Sequence, residues 1–200
     1  MSESAGPLGG ESATAAPAAA TVPGRVCGDC TLCCKLLPVA ALDKPRFEWC
    51  RHCDKGRGCG IYDDRPDACR TFACSYLVSP GLGDEWRPSV ARFFLTFEEE
   101  ANRLGVHVDP GRKDAWRAEP YFTQIRRWAA TAAAAGEGQV VVWEGPVAIV
   151  ILPGIEKKLG RVPAGHVIVT ARRRGPLGIE YNAIAIPPDD PRLKRNKPAD

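Results

Sequence analysis

All nine cysteines of this 200-residue chain fall between Cys27 and Cys74. They run Cys27-x2-Cys30-x2-Cys33-Cys34, then Cys50-x2-Cys53-x5-Cys59-x9-Cys69-x4-Cys74. This crowding constrains the stretch more than any hydrophobic pattern does. A C-x-x-C turn aims two sulfurs at one point, and four such sulfurs make a tetrahedral site with metal–sulfur distances of about 2.3 Å. Thiolate-rich sites select zinc, iron–sulfur clusters or copper(I), and disfavour magnesium and calcium.

Disulfides fit the pattern less well. A secreted protein spreads its bridges across the fold they staple, and an odd count leaves one thiol unpaired. The segment 1–23 contains two glutamates, no Lys or Arg, and no apolar core of the kind a secretion signal needs. No stretch approaches the ~18 continuous apolar residues of a membrane span. A reducing, cytoplasmic compartment is therefore expected, with metal rather than disulfide on the cysteines. The formal charge of +3 is weak and does not by itself call for nucleic acid or an anionic membrane. A protein partner is left open.

Composition divides the chain into four parts. Residues 1–24 are Ala/Gly/Pro-rich and read as a disordered leader. Residues 25–80 form a cysteine-rich metal-binding module, residues 89–187 an α+β domain, and residues 188–200 a flexible tail. The fold class expected is α+β: a small irregular metal-organised module followed by a domain with β-hairpins and one long helix.

Within the module, Asp63-Asp64-Arg65-Pro66 reads as a helix start, with a helix from about Arg65 to Leu77. On one helix, Cys69 and Cys74 would point roughly 140° apart, so they serve different metals or the helix breaks before Cys74. Further on, 90–97 reads as a strand paired with 104–108. Asp109-Pro110 opens a helical region that restarts or kinks at Pro120 and ends at Gly136. Tyr121, Ile125, Trp128 and Ala132 recur on its buried face. Two hairpins are expected, 139–143 with 147–152 and 166–172 with 179–186.

The cysteine segment resembles the bacterial CxxCxxCC cysteine-cluster family, described as zinc- or iron-chelating proteins. The likeness is carried by Cys27-Gly28-Asp29-Cys30-Thr31-Leu32-Cys33-Cys34 and by the run from Cys59-Gly60-Ile61-Tyr62 through Arg65-Pro66, Cys69-Arg70, Phe72 and Cys74. Trp49-Cys50-Arg51-His52-Cys53 resembles one branch of that family. It covers about a quarter of the chain, and what it implies is metal chelation. Some members are described as similar to flagellin lysine N-methylases, but this sequence has no glycine-rich loop after a strand to hold a methyl-donor nucleotide.

The expected ligands are Cys27, Cys30, Cys33, Cys34, Cys50, Cys53, Cys59, Cys69 and Cys74. Two four-sulfur sites would use eight of them. Zinc with a structural or regulatory role is the leading expectation. The alternative is iron or an iron–sulfur cluster with a redox or cluster-dependent enzymatic role, although Cys34 follows Cys33 directly where ferredoxin spacing would not have it. His52, between two cysteines, is a further candidate ligand. Arg65 and Arg70 are candidates to offset thiolate charge. His107 and His166 stand without a sequence-adjacent acid or nucleophile, so no catalytic residue is nominated. Arg172-Arg173-Arg174 reads as a solvated charge run at a hairpin turn that lacks the aromatic interleaving of a single-strand platform, so neither nucleic acid nor a membrane is expected as a partner.

Overall fold

The computed structural model describes residues 20–136 and 138–194; residues 1–19 of the expected leader and 195–200 of the expected tail lie outside them. The cysteine segment has little regular structure. It holds α1 (Leu32–Leu36), a two-residue ladder of β1 (Cys53–Asp54) with β2 (Gly58–Cys59), α2 (Asp67–Arg70) and α3 (Ser75–Val78). The helix expected from Arg65 to Leu77 is broken. Pro66 sits just outside α2 in an extended conformation (ψ 153°), and Cys74 is extended again (φ −72°, ψ 156°) before α3. Two contacts mark the end of α2. The Thr71 hydroxyl donates to the Asp67 carbonyl at 2.9 Å, and Phe72 turns inward to meet Phe94 edge-on at 5.5 Å.

Beyond α4 (Pro88–Ala91), a five-stranded sheet is built from β3 (Phe93–Glu98), β4 (Arg103–Val108), β5 (Gln139–Glu144), β6 (Val147–Leu152) and β7 (Ile155–Arg161), in that spatial order. All neighbours are antiparallel except β4 and β5. A parallel pair needs a crossover, supplied by the long helix α5 (Tyr121–Ala135) between them. The expected helical region from Asp109 is in fact two 3-10 turns before α5, and Gly136 ends α5 in the left-handed conformation. Tyr121 and Ile125 lie on its buried face as expected; Ala129 completes it, with Trp128 and Ala132 partly buried.

Strand alternation sorts the sheet residues onto two faces. Val106, Val108, Val140, Val142, Ile149 and Ile151 pack with α5. Val141, Ala148, Val150 and Leu152 pack against Ile168 and Ala183. Those two come from the second hairpin, β8 (Val167–Gly175) with β9 (Gly178–Ile186), turned by Pro176-Leu177. The last element among the described residues is α6 (Pro191–Lys194). The architecture is α+β, with antiparallel hairpins and one long helix, as expected. Strand β7 was not foreseen, because Ile155–Arg161 is mostly charged and exposed as an edge strand can be.

The cysteine segment is not separate from this sheet. Leu32, Leu36, Tyr76 and Leu77 share one apolar cluster with Trp86, Phe93 and Phe94. Phe93 faces α5 and meets Tyr121 at 5.0 Å, so Phe94, one residue on, faces the cysteine segment. Lys35 adds an ion pair to Asp109 at 2.6 Å, and the Val22 N–H donates to the Leu77 carbonyl at 2.8 Å.

Phe94→Ala is expected to destabilise the protein by about 3–5 kcal/mol in denaturant unfolding. Phe97→Ala, at a position 57% exposed on the same strand, should change stability by less than about 0.5 kcal/mol. Equal effects from the two would contradict this packing.

Candidate metal centre

The cysteines are brought together by backbone turns rather than by regular elements. Cys30 N–H donates to the Cys27 carbonyl at 2.8 Å, and Cys53 N–H to the Cys50 carbonyl at 3.0 Å, closing two of the three C-x-x-C turns. Gly28 holds φ +50° in the first of them, a conformation a β-carbon disfavours. Cys50 N–H donates to the Cys34 carbonyl at 3.0 Å, which joins the second turn to α1. Cys53 and Cys59 face each other across β1 and β2. Because the helix breaks at Thr71, Cys69 and Cys74 both reach the same cavity, and the 140° constraint disappears.

That cavity, of about 110 Å³, is lined by eight of the nine cysteines: Cys27, Cys30, Cys33, Cys34, Cys50, Cys59, Cys69 and Cys74. Cys53 stands beside it, hydrogen-bonded to Cys34. No disulfide joins any of the nine. Apolar residues supply most of the remaining wall, and its only charged residues are Arg65 and Arg87. Among the described residues, no three His, Cys, Asp or Glu side chains stand at the spacing of a metal-ligand set. The sulfurs therefore share a chamber without meeting at a point.

Two neighbourhoods are distinguishable within it. Cys30 and Cys27 lie close enough to Cys74 to raise its thiol pKa, Cys30 raises Cys27 in the same way, and Cys34 also acts on Cys27 and links the two neighbourhoods. Cys34, Cys50, Cys59 and Cys69 form the other group, with Cys33 and Cys53 bonded to Cys34. Donation of the Cys34 thiol to Cys33, together with burial, pushes Cys34 far above the ordinary thiol range. Burial, then the neighbouring Cys34, raises Cys53 to about 11. Burial raises Cys74 to about 11 as well, although the N–H groups of Leu77 and Tyr76 donate to its sulfur. Burial likewise raises Cys27, Cys30 and Cys69.

Cations surround these thiols. Arg65 lies over the Tyr62 ring at 3.6 Å, donates to the Tyr62 carbonyl at 2.7 Å, and pulls the Cys27 and Cys69 thiols down. Arg87 pairs with Asp29 at 2.5 Å and acts in the same sense on Cys30. Arg70 has a different job. It donates to the carbonyls of Arg65 and Asp63, at 2.7 Å each, and ties down the loop before α2.

Lys44 is the residue that sequence spacing missed. It is buried, and its ammonium donates to the carbonyls of Lys35, Leu37 and Pro45, next to Cys33, Cys34 and Cys50. Burial pulls its pKa down. Thr31, also buried, takes the Gly56 N–H at 3.2 Å and donates its hydroxyl to Cys53. His52 does not line the cavity; its carbonyl accepts from Gly60 N–H at 2.8 Å.

Compared with protein-family models, curated proteins and solved structures, the chain matches none. Among the described residues, no helix is long and apolar enough to cross a membrane.

His107 backs the cavity wall. Its ring stacks on Phe94 at 4.8 Å and its Nε2 is 2.8 Å from the Thr96 hydroxyl. Both side chains close over Gly105, where a β-carbon would stand 2.8 Å from each. Burial first, and Arg46 second, pull its pKa down to about 4. The unfolded chain, titrating near 6.5, therefore binds more protons between these values. The contribution of His107 to stability is complete above about pH 6.5 and is lost as pH falls toward 4. Its imidazole resonances are expected to titrate near pH 4 in NMR; a midpoint above 6 would contradict the burial described here.

Proposed function

We propose that this protein binds zinc through its cysteine cluster, and that the ion locks residues 25–80 against the sheet in a structural or regulatory role. The observation that carries this reading is the single cavity lined by eight cysteines and, among charged residues, by arginines alone. Crowded thiols without a cation in their midst hold their protons, as the raised pKa values of six of them reflect. A soft divalent cation replaces those protons, and the donor set suits zinc or iron rather than a hard ion.

The residues that would hold the metal are Cys27, Cys30, Cys33, Cys34, Cys50, Cys53, Cys59, Cys69 and Cys74. Bound zinc supplies a charged cross-link among chain segments that have little apolar core of their own. The protein's own groups do the rest. Arg65, Arg87 and Lys44 offset the negative charge that eight or nine thiolates bring. The N–H groups of Leu32, Ser89, Tyr76 and Leu77 donate to the sulfurs of Cys30 and Cys74 and orient them. Ser89 belongs to α4, so sulfur orientation is coupled to the sheet. The likeness to CxxCxxCC proteins points the same way, and a reducing cytoplasm would keep the thiols available.

Hydrogen exchange on the full chain tests this role. Removing metal with a chelator should open the amides of 25–80 to exchange, while β5 and β6, buried on both faces, stay protected. Adding zinc back should restore protection. Unchanged exchange in 25–80 after complete metal removal would overturn the structural role.

A further inference from the structure

The hairpin of β8 and β9 does more than cover the sheet. Its inner half packs through Ile168 and Ala183, but from Ala171 to Glu180 every residue except Gly175 is exposed. An arm of two strands therefore projects from the body, closed at its tip by Pro176 and a fully exposed Leu177.

Register sets what each side of the arm carries. Arg172 opposes Tyr181 and Arg174 opposes Ile179, so these four share one side. Arg173 and Glu180 face the other side and pair at 2.7 Å. Arg172 reaches only the Ala133 carbonyl, at 3.4 Å, and among the described residues the Arg174 side chain has no hydrogen-bond or ion-pair partner. Charge is concentrated here as well. Residues 155–186 hold Lys157, Lys158, Arg161, Arg172, Arg173 and Arg174 against Glu156 and Glu180, a net +4 where the whole chain carries +3.

We infer that this arm binds duplex DNA, entering a groove with its tip and laying Arg172 and Arg174 along the phosphates of one rim. Four features converge on that ligand. A two-stranded ribbon fits the DNA major groove, and architectural proteins insert Pro or Leu wedges from the minor-groove side. Arg173 is held by Glu180, so the available arginines, Arg172 and Arg174, line one side of the arm and suit the phosphates along one rim of a groove, whereas a membrane presents one plane and would meet only the tip. Arg172 and Arg174, two strand residues apart, are separated by about 6.6 Å, close to two charge repeats of one DNA strand. The major groove of duplex RNA is too deep and narrow for side chains to read. This inference does not depend on the cysteine cluster.

Fluorescence anisotropy with a labelled mixed-sequence DNA duplex tests it, using the full chain as purified. Two phosphate contacts predict a slope of log affinity against log salt of about −1.8 between about 50 and 200 mM. Arg172→Gln and Arg174→Gln should each remove about 0.9 from that slope, and together bring it close to zero, with the unfolding midpoint unchanged. Leu177→Gly should weaken binding without changing the slope. Absence of binding at 50 mM salt, or an unchanged slope in the double variant, would overturn the proposal. Arm-dependent binding to phosphatidylserine vesicles without binding to DNA would also overturn it.

Discussion

Eight cysteines lining one small cavity, with Arg65 and Arg87 in its wall and Lys44 beside it, is the arrangement on which the rest of the N-terminal half depends. Buried thiols beside one another disfavour ionisation, and cations placed around them favour it. The two tendencies are reconciled when the sulfurs are thiolates sharing a cation. Lys44 makes the point sharply. A buried ammonium held only by backbone carbonyls is costly, and the charge of nearby sulfur is what would offset it.

The cavity is anchored by groups that come from outside the cysteine segment. Phe94 forms part of its wall and stacks on His107, whose hydroxyl partner Thr96 sits over Gly105. Arg87 reaches from beside α4 to Asp29, inside the first C-x-x-C turn, and Ser89 donates to Cys30. The sheet thus supplies a rigid back to a segment whose own elements are four or five residues long at most. This division of labour explains how so irregular a stretch holds a defined shape.

Much of the sheet was legible from sequence because its signals are local. Glu144-Gly145-Pro146 between two Val/Ile runs announces one hairpin, and Gly136 after an Ala-rich run announces the end of α5. The cysteines were also legible as a group, since spacing alone says that they belong together. Their arrangement was not. The Arg65–Leu77 helix failed because Phe72 is pulled inward by Phe94, a contact 22 positions away that no window of the sequence reveals. Lys44 and Arg87 escaped for the same reason: nothing near them in sequence ties them to sulfur. The tri-arginine illustrates the opposite case, since its meaning changes once register sets Arg172 and Arg174 together on one side of a projecting arm and pairs Arg173 with Glu180 on the other.

The most direct test of the central claim is the content of metal and acid-labile sulfide per chain, measured on protein purified without oxygen. The account predicts about two zinc ions, as two four-sulfur sites require, and no sulfide. Iron with a matching amount of sulfide would replace zinc with a cluster on the same cysteines. Neither metal, with the cysteines joined as disulfides, would contradict the account outright.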